Sequence, residues 1–300
     1  MSPQFLFIAC SLIWGSTWIG ITYQVGQVSP LLAVGWRFSV AALCLGIWCW
    51  IHRLNMRFEA AVHRRMAVVG LLMYTLDYSL LYAAQENIIS GLLAVLSSCI
   101  IYLSVVLRKT LFGYAIRREV VVGATFGLVG IGCIFAPEFA HVAIDTLLLY
   151  GLGLALLSFI CAALGSVLAE QVMADNVPVV QMNFFAMTYG VIGLYVTALI
   201  TGQSFTLPAD GSFYVALVYL ALFGSILAFG AYMKLVKQLG ADKASYVTLV
   251  YPLIALLFST FLEGYQWTAS AAFGVVIVLL GNAIAMGRIR FPRRTTRLAG

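Results

Sequence analysis

Ten apolar runs of about 20 residues, joined by short gaps, leave this chain no way to fold in water, because about 20 residues is the length a helix needs to cross the hydrocarbon core. The runs lie near 4–22, 31–51, 66–85, 89–108, 119–137, 146–168, 180–201, 212–234, 243–262 and 268–288. A soluble domain is about a quarter charged. This chain of 300 residues is 9% charged and 63% hydrophobic, with mean hydropathy +1.01. An all-α integral membrane protein with ten transmembrane helices is predicted.

All but one of the 17 Lys and Arg residues fall in the gaps on one side of those helices. Arg53, Arg57, Arg64 and Arg65 share one loop, and Arg108, Lys109, Arg117 and Arg118 another. Lys234, Lys237 and Lys243 fill a third, and Arg288, Arg290, Arg293, Arg294 and Arg297 the C-terminal end. The gaps around 24–30, 86–87, 138–145, 202–211 and 263–267 hold no Lys or Arg, and one gap on the basic side, 170–177, is also bare. Cytoplasmic loops retain basic residues, so both termini are expected in the cytoplasm and the protein in a bacterial inner membrane, with the lipid bilayer as its first partner. The net charge of +6 is accounted for by topology and predicts no nucleic-acid partner.

The first run has no basic n-region and no small-residue cleavage site, so it reads as a retained helix rather than a signal peptide. Cys10, Cys44, Cys49, Cys99, Cys133 and Cys161 lie within spans as apolar fillers, and no disulfide is expected. His52, His63 and His141 are isolated in loops, and no metal site or other cofactor is expected. No Walker A, HExxH or GxSxG arrangement points to an enzyme.

A constant internal offset divides the chain. Gly15-Ser16 returns as Gly165-Ser166, Pro30 as Pro178, and Gly123 and Gly130 as Gly274 and Gly281. Each half then holds five helices, an odd number, so the second enters the membrane from the opposite side. The basic gaps agree, following helices 2 and 4 in one half and helices 8 and 10 in the other. The expected units are a first repeat over 1–138, a second over 139–290 and a basic cytoplasmic tail over 291–300. An inverted repeat of this kind characterises transporters that bind substrate near the bilayer midplane.

Trp14-Gly15-Ser16-Thr17-Trp18 in helix 1, Pro30 followed by Arg37 in helix 2, and Pro252 with Glu263 around helix 9 resemble the EamA-type transporters of the drug/metabolite transporter superfamily. The resemblance covers nearly the whole chain as two EamA repeats. It departs where the first repeat of that family has a helix-4 Pro and a following Leu-Gly-Glu; Ser97-Ser98-Cys99-Ile100 and Phe112-Gly113-Tyr114 stand there. What the resemblance implies is a transporter of small organic metabolites, often an exporter of amino acids or related compounds.

Candidate substrate-binding groups follow from polarity inside the spans. Asp77 is the one acid near the middle of a span, and a carboxylate there must face a cavity or a partner. Tyr74, Tyr78, Leu81, Tyr82 and Gln85 fall with it in an arc of about 140°. Ser11, Trp14, Gly15, Trp18 and Thr22 share one face of helix 1, Trp14 being the central one. Ser245, Thr248, Tyr251, Pro252 and Ser259 share a face of helix 9. Pro252 frees a carbonyl near Thr248 and is a candidate gating residue. Helix 4 offers Ser97, Ser98 and Tyr102; Ser158 and Ser225 are single serines expected to bond their own helix. Arg37, the other gating candidate, sits close enough to the outer boundary for its side chain to snorkel to water, either attracting a substrate carboxylate or pairing with a loop acid such as Glu86. The Gly123, Gly127 and Gly130 face of helix 5 suits close packing on a neighbouring helix or in a homodimer.

These residues predict a secondary transporter with a small-molecule substrate, zwitterionic or cationic and partly aromatic, driven by a gradient and alternating access to a central cavity. A channel or facilitator, a membrane sensor and an intramembrane enzyme are the rivals.

Overall fold

Prolines and hydroxyl caps fix where the helices begin. Ser2 accepts a hydrogen bond from the Phe5 amide at 3.3 Å, and Pro3 and Pro30 occupy first-turn positions, where a missing N–H costs nothing. The computed structural model describes residues 1–24, 26–85, 87, 93, 96–139, 146–262 and 267–287. Helices α1 (Pro3–Thr22) and α2 (Pro30–Ile51) are followed by α3 (Ala60–Gly70), which passes through a π-helical stretch, Leu71–Leu76, into α4 (Asp77–Gln85). After α5 (Cys99–Phe112) and α6 (Arg118–Phe139) come α7 (Thr146–Ala174) and α8 (Val179–Ile200). Helix α9 (Gly211–Tyr219) passes through a second π-helical stretch, Leu220–Leu227, into α10 (Ala228–Leu239). The short α11 (Ala241–Ala244), α12 (Val247–Leu262) and α13 (Ala269–Ala285) complete the order.

Seven of these helical segments, with α3 to α4, α9 to α10 and α11 to α12 each counted as one, are long and apolar enough to cross a membrane among the described residues. The protein is all-α and multi-pass. Three expectations about local structure change. The third and eighth runs are not regular helices, because the backbone widens to i→i−5 bonding before Asp77 and before Ala228. The sixth run continues to Ala174, placing Glu170 on a helix rather than in a loop. Most of the first ten residues expected for the fourth run lie outside the described residues.

Small residues set the packing. A Cβ on Gly123 would collide with the Gly281 carbonyl, one on Gly130 with that of Gly274, and one on Gly127 with Leu249. The glycine face of α6 is therefore filled by α13 and α12 of the same chain, which closes it to a second subunit. Gly35 lies against Tyr195 and Gly46 against Phe184, drawing α2 onto α8. Helix α1 packs on α10 and α12, and α7 packs on α4 and α5. The largest apolar cluster joins α1, α2, α3, α7, α8 and α10. The candidate site lies at its polar margin.

Candidate functional site

Five helices, α1, α2, α4, α10 and α12, build an aromatic enclosure with Tyr74 of the first π-helical stretch. Phe38 of α2 lies 4.8 Å from the Tyr74 ring and 5.3 Å from Tyr78, while Phe229 of α10 lies 5.1 Å from both Tyr74 and Trp14. Trp14 also reaches Tyr232 at 5.3 Å and Tyr251 of α12 at 6.4 Å, and Tyr78 continues to Tyr82 at 6.4 Å. The ring planes meet mostly edge to face, the preferred geometry of aromatic pairs. Trp14 is oriented by its Nε1, which donates to the Gly224 carbonyl at 3.1 Å. That carbonyl lies inside the second π-helical stretch.

Asp77 stands at the end of the first π-helical stretch, and its own amide donates to Leu72 across the wide turn. Its carboxylate accepts a hydrogen bond from Ser158 of α7 at 2.6 Å. Ser158 therefore bonds across helices instead of to its own. Asp77, Tyr78, Tyr82, Trp14 and Tyr251 are all half-buried, so each keeps some surface facing open space.

Arg37 departs from expectation. It is 5% exposed, and its Nε donates to Ser225 Oγ at 2.8 Å while its guanidinium lies 5.4 Å from the centre of the Phe38 ring. A Cβ on Gly224 would come within 3.0 Å of its Nη2, so glycine makes the room it occupies. Arg37 is thus held inside the protein by α10's π-helical lead-in and does not snorkel. It makes no salt bridge among the described residues, and Glu86 lies outside them. Tyr78 follows Asp77 in the chain and packs on Phe38 at 5.3 Å, the ring that the Arg37 guanidinium also approaches, so both charged groups flank one pair of rings.

Other expected residues fall elsewhere. Tyr74 is wholly buried among Phe38 and Phe229, and its hydroxyl has no hydrogen-bond partner among the described residues. Tyr102 turns to α6, where its hydroxyl meets Thr125 Oγ1 at 2.8 Å, outside the aromatic enclosure. Ser98 is wholly buried at the start of α5; its neighbour Ser97 is the residue hydrogen-bonded with Tyr251. Thr248 Oγ1 is spent on the Ser245 carbonyl at 2.7 Å, and Pro252 leaves the Thr248 carbonyl without its helical donor. Ser245 donates to the Ala241 carbonyl at 2.7 Å and lies 3.5 Å from the Tyr232 hydroxyl, which in turn meets Ser166 at 3.1 Å. The side chains of Trp18, Thr22, Gln85 and Ser259, and Glu263, lie outside the described residues.

Toward the basic side, Ser245 leads into a buried ion-pair lattice. Arg108 binds Glu170 through Nε at 2.9 Å and Nη2 at 2.7 Å, and Asp242 through Nη1 at 2.9 Å. Arg117 Nε adds a looser contact to Asp242 at 3.7 Å, and Glu170 also accepts the Ala241 amide at 2.9 Å. The Arg108 and Asp242 side chains are 4% and 2% exposed. The lattice joins the ends of α5, α6, α7 and α11. In the sequence Arg108 counts among the topology charges and Glu170 and Asp242 carry no local signal, since their pairing depends on long-range contacts.

A bundle of apolar helices long enough to cross a membrane, with charged and aromatic side chains turned into its interior, defines an integral membrane protein. The model of the EamA-like transporter family matches residues 1–136 and again 149–287, and the chain belongs to that family. It is a multi-pass inner-membrane protein of a transporter family and not an enzyme. The uncharacterized inner membrane transporter YedA of Escherichia coli strain K12 is 30% identical over 285 residues, covering 91% of this chain and 89% of that one. Protein PagO of Salmonella typhimurium is 24% identical, covering 97% and 95%, and the uncharacterized transporter YyaM of Bacillus subtilis 25% identical, covering 97% and 96%. A crystal structure at 17% identity shares the fold, with a TM-score of 0.78 over 96% of this chain and 97% of that one.

Proposed function

We propose that the chain is a secondary transporter that exports a small zwitterionic metabolite, an amino acid or a related amphipathic compound, by alternating exposure of the site between Arg37 and Asp77. The observation that carries this reading is a pair of opposite charges held apart inside one aromatic enclosure. Arg37 rests on the Ser225 hydroxyl and Asp77 on that of Ser158, and neither has an ion-pair partner among the described residues. A buried cation and a half-buried carboxylate stabilise each other when paired, and left apart they cost free energy that a ligand can recover. A ligand with a carboxylate for Arg37 and an ammonium for Asp77 satisfies both. The rings of Trp14, Tyr78, Tyr82 and Tyr251 would add contact area and quadrupole attraction for its cationic end.

Many alternating-access transporters are built from two related halves, and we propose ten transmembrane helices in two inverted five-helix repeats. The family model matches once in each half. The packing of α1 on α10 and α12 recurs as that of α7 on α4 and α5, five spans later. The π-helical stretches recur at the offset of about 150 residues that relates the Gly and Pro matches. These recurrences support one repeat over 1–138 and another over 139–290. In this reading the Arg108 lattice closes the cytoplasmic end, and the transporting unit is a single chain. Export is the direction that the family resemblance implies.

Ligand-induced stabilisation tests the substrate class, because binding to the folded state raises the melting temperature by mass action. Purified protein screened against amino acids, their amines and their carboxylic acids is expected to respond to zwitterions above either single-charge analogue. Equal or absent responses across the three classes would remove the two-charge site.

A further inference from the structure

The lipid-facing side of α2 carries a groove that the transport site does not use. Two clefts open between α2 and α8, one reaching from Ser39 to Trp50 along α2 and the other from Gly46 to Arg53. Gly46, Trp50 and Phe184 line both, so the two clefts adjoin along the surface as one groove. The floor is shallow where Gly46 lets the Phe184 ring lie against the helix. From Ser39 to Trp50 the helix rises about 17 Å, close to the roughly 15 Å of hydrocarbon in one leaflet. The walls along that length are almost wholly apolar. The groove ends at Trp50, 80% exposed, and at Arg53, also exposed, on the side that carries the basic loops.

Arg53 is held there at a conformational cost. Its φ is +50°, the left-handed region, immediately after α2, and the Leu54 amide closes the helix end by donating to the Cys49 carbonyl at 2.9 Å. Glycine is the residue that takes this position without strain. The partial negative charge of a helix C-terminus would accept a cation anywhere in the last turn, so it does not account for one at the strained position. The side chain makes no ion pair among the described residues. What the position does provide is a guanidinium at the interfacial mouth of an apolar groove one leaflet long.

We propose that this groove binds an anionic phospholipid, with an acyl chain along α2 over Phe184, the phosphate group on Arg53, and Trp50 at the headgroup level. Tryptophan favours that depth, and basic pockets on the cytoplasmic side of membrane proteins recognise anionic headgroups. A second copy docked on the same face about an axis normal to the membrane would bring two Arg53 side chains to the same end with no countercharge. The lipid supplies the missing charge and a second protomer does not.

The test uses the full chain purified in neutral detergent, with phosphatidylglycerol or phosphatidylcholine added back. Phosphatidylglycerol is expected to raise the melting temperature above phosphatidylcholine and to survive as an adduct in native mass spectrometry. Arg53→Gly removes the cation and the strain together, so this variant should melt no lower than the wild type without lipid, yet retain phosphatidylglycerol about fivefold less, the effect of roughly one surface charge. Arg57→Gln, outside the groove, should retain the lipid as the wild type does. Equal effects of the two lipids on the wild type, or undiminished retention by Arg53→Gly, would overturn the proposal. A lipid-free dimer would assign the groove to a second copy.

Discussion

At the scale of single residues, Asp77 and Arg37 were both legible in the sequence, one as the central acid and the other as the cation topology does not explain. Their surroundings were not. Arg37 was expected at the water interface, but Ser225 and Gly224, nearly 190 residues away, hold it inside. Tyr102 shares a helical face with Ser98, yet Thr125 on α6 turns its hydroxyl away, a contact no local pattern encodes. Phe38, Phe229 and Tyr232 escaped notice because apolar and aromatic residues crowd every face of these helices. If Arg37 binds a substrate carboxylate, Arg37→Gln, which keeps a donor for Ser225, should weaken a zwitterionic substrate by about 10- to 100-fold, as a charged hydrogen bond is worth roughly 1.5–3 kcal/mol. The decarboxylated amine should bind both proteins equally. Equal losses for both ligands in a binding titration would make Arg37 structural.

At the scale of elements, the apolar runs and the glycine offsets foretold the helices and the close packing of α6, while the π-helical stretches left no trace in composition. The backbone widens before Asp77, which sets the face of that carboxylate, and around Gly224, which brings Gly224 and Ser225 against Arg37 of α2. Close packing makes a direct prediction. Gly281→Leu would drive a side chain into the Gly123 carbonyl, and overpacking of this kind costs typically 1–3 kcal/mol, so a lower melting temperature is expected, while Gly153→Leu, facing open space, should leave it unchanged. The Arg108 lattice makes another. Breaking a buried ion pair costs about 3–5 kcal/mol, so Glu170→Gln should both destabilise the protein and loosen its cytoplasmic end. A cysteine at Ser245, buried in the native protein, should then become accessible to a membrane-impermeant maleimide from the cytoplasm. Unchanged labelling would show that the lattice serves stability alone.

At the scale of the whole molecule, membership of the EamA-like family sets a transport role, and the finer account rests on symmetry broken by charge. The family model recurs in both halves, and α1 packs on α10 and α12 as α7 packs on α4 and α5. Among the described residues the ion-pair lattice lies at one end, next to Ser245 and the Tyr232 hydroxyl that borders the aromatic enclosure. Ser245 and Glu170 both bond the backbone of Ala241, so Tyr232 and Ser245 link the margin of the aromatic enclosure to the lattice by contact. The central claim is that Asp77 and Arg37 bind a zwitterion that the protein carries across the membrane in a cycle. Counterflow in proteoliposomes, with a labelled amino acid chosen from the stabilisation screen, tests it most directly. The account predicts saturable flux, accelerated by unlabelled substrate on the opposite side and lost in a folded Asp77→Asn variant. Flux that rises linearly without acceleration, or wild-type flux in Asp77→Asn, would contradict it.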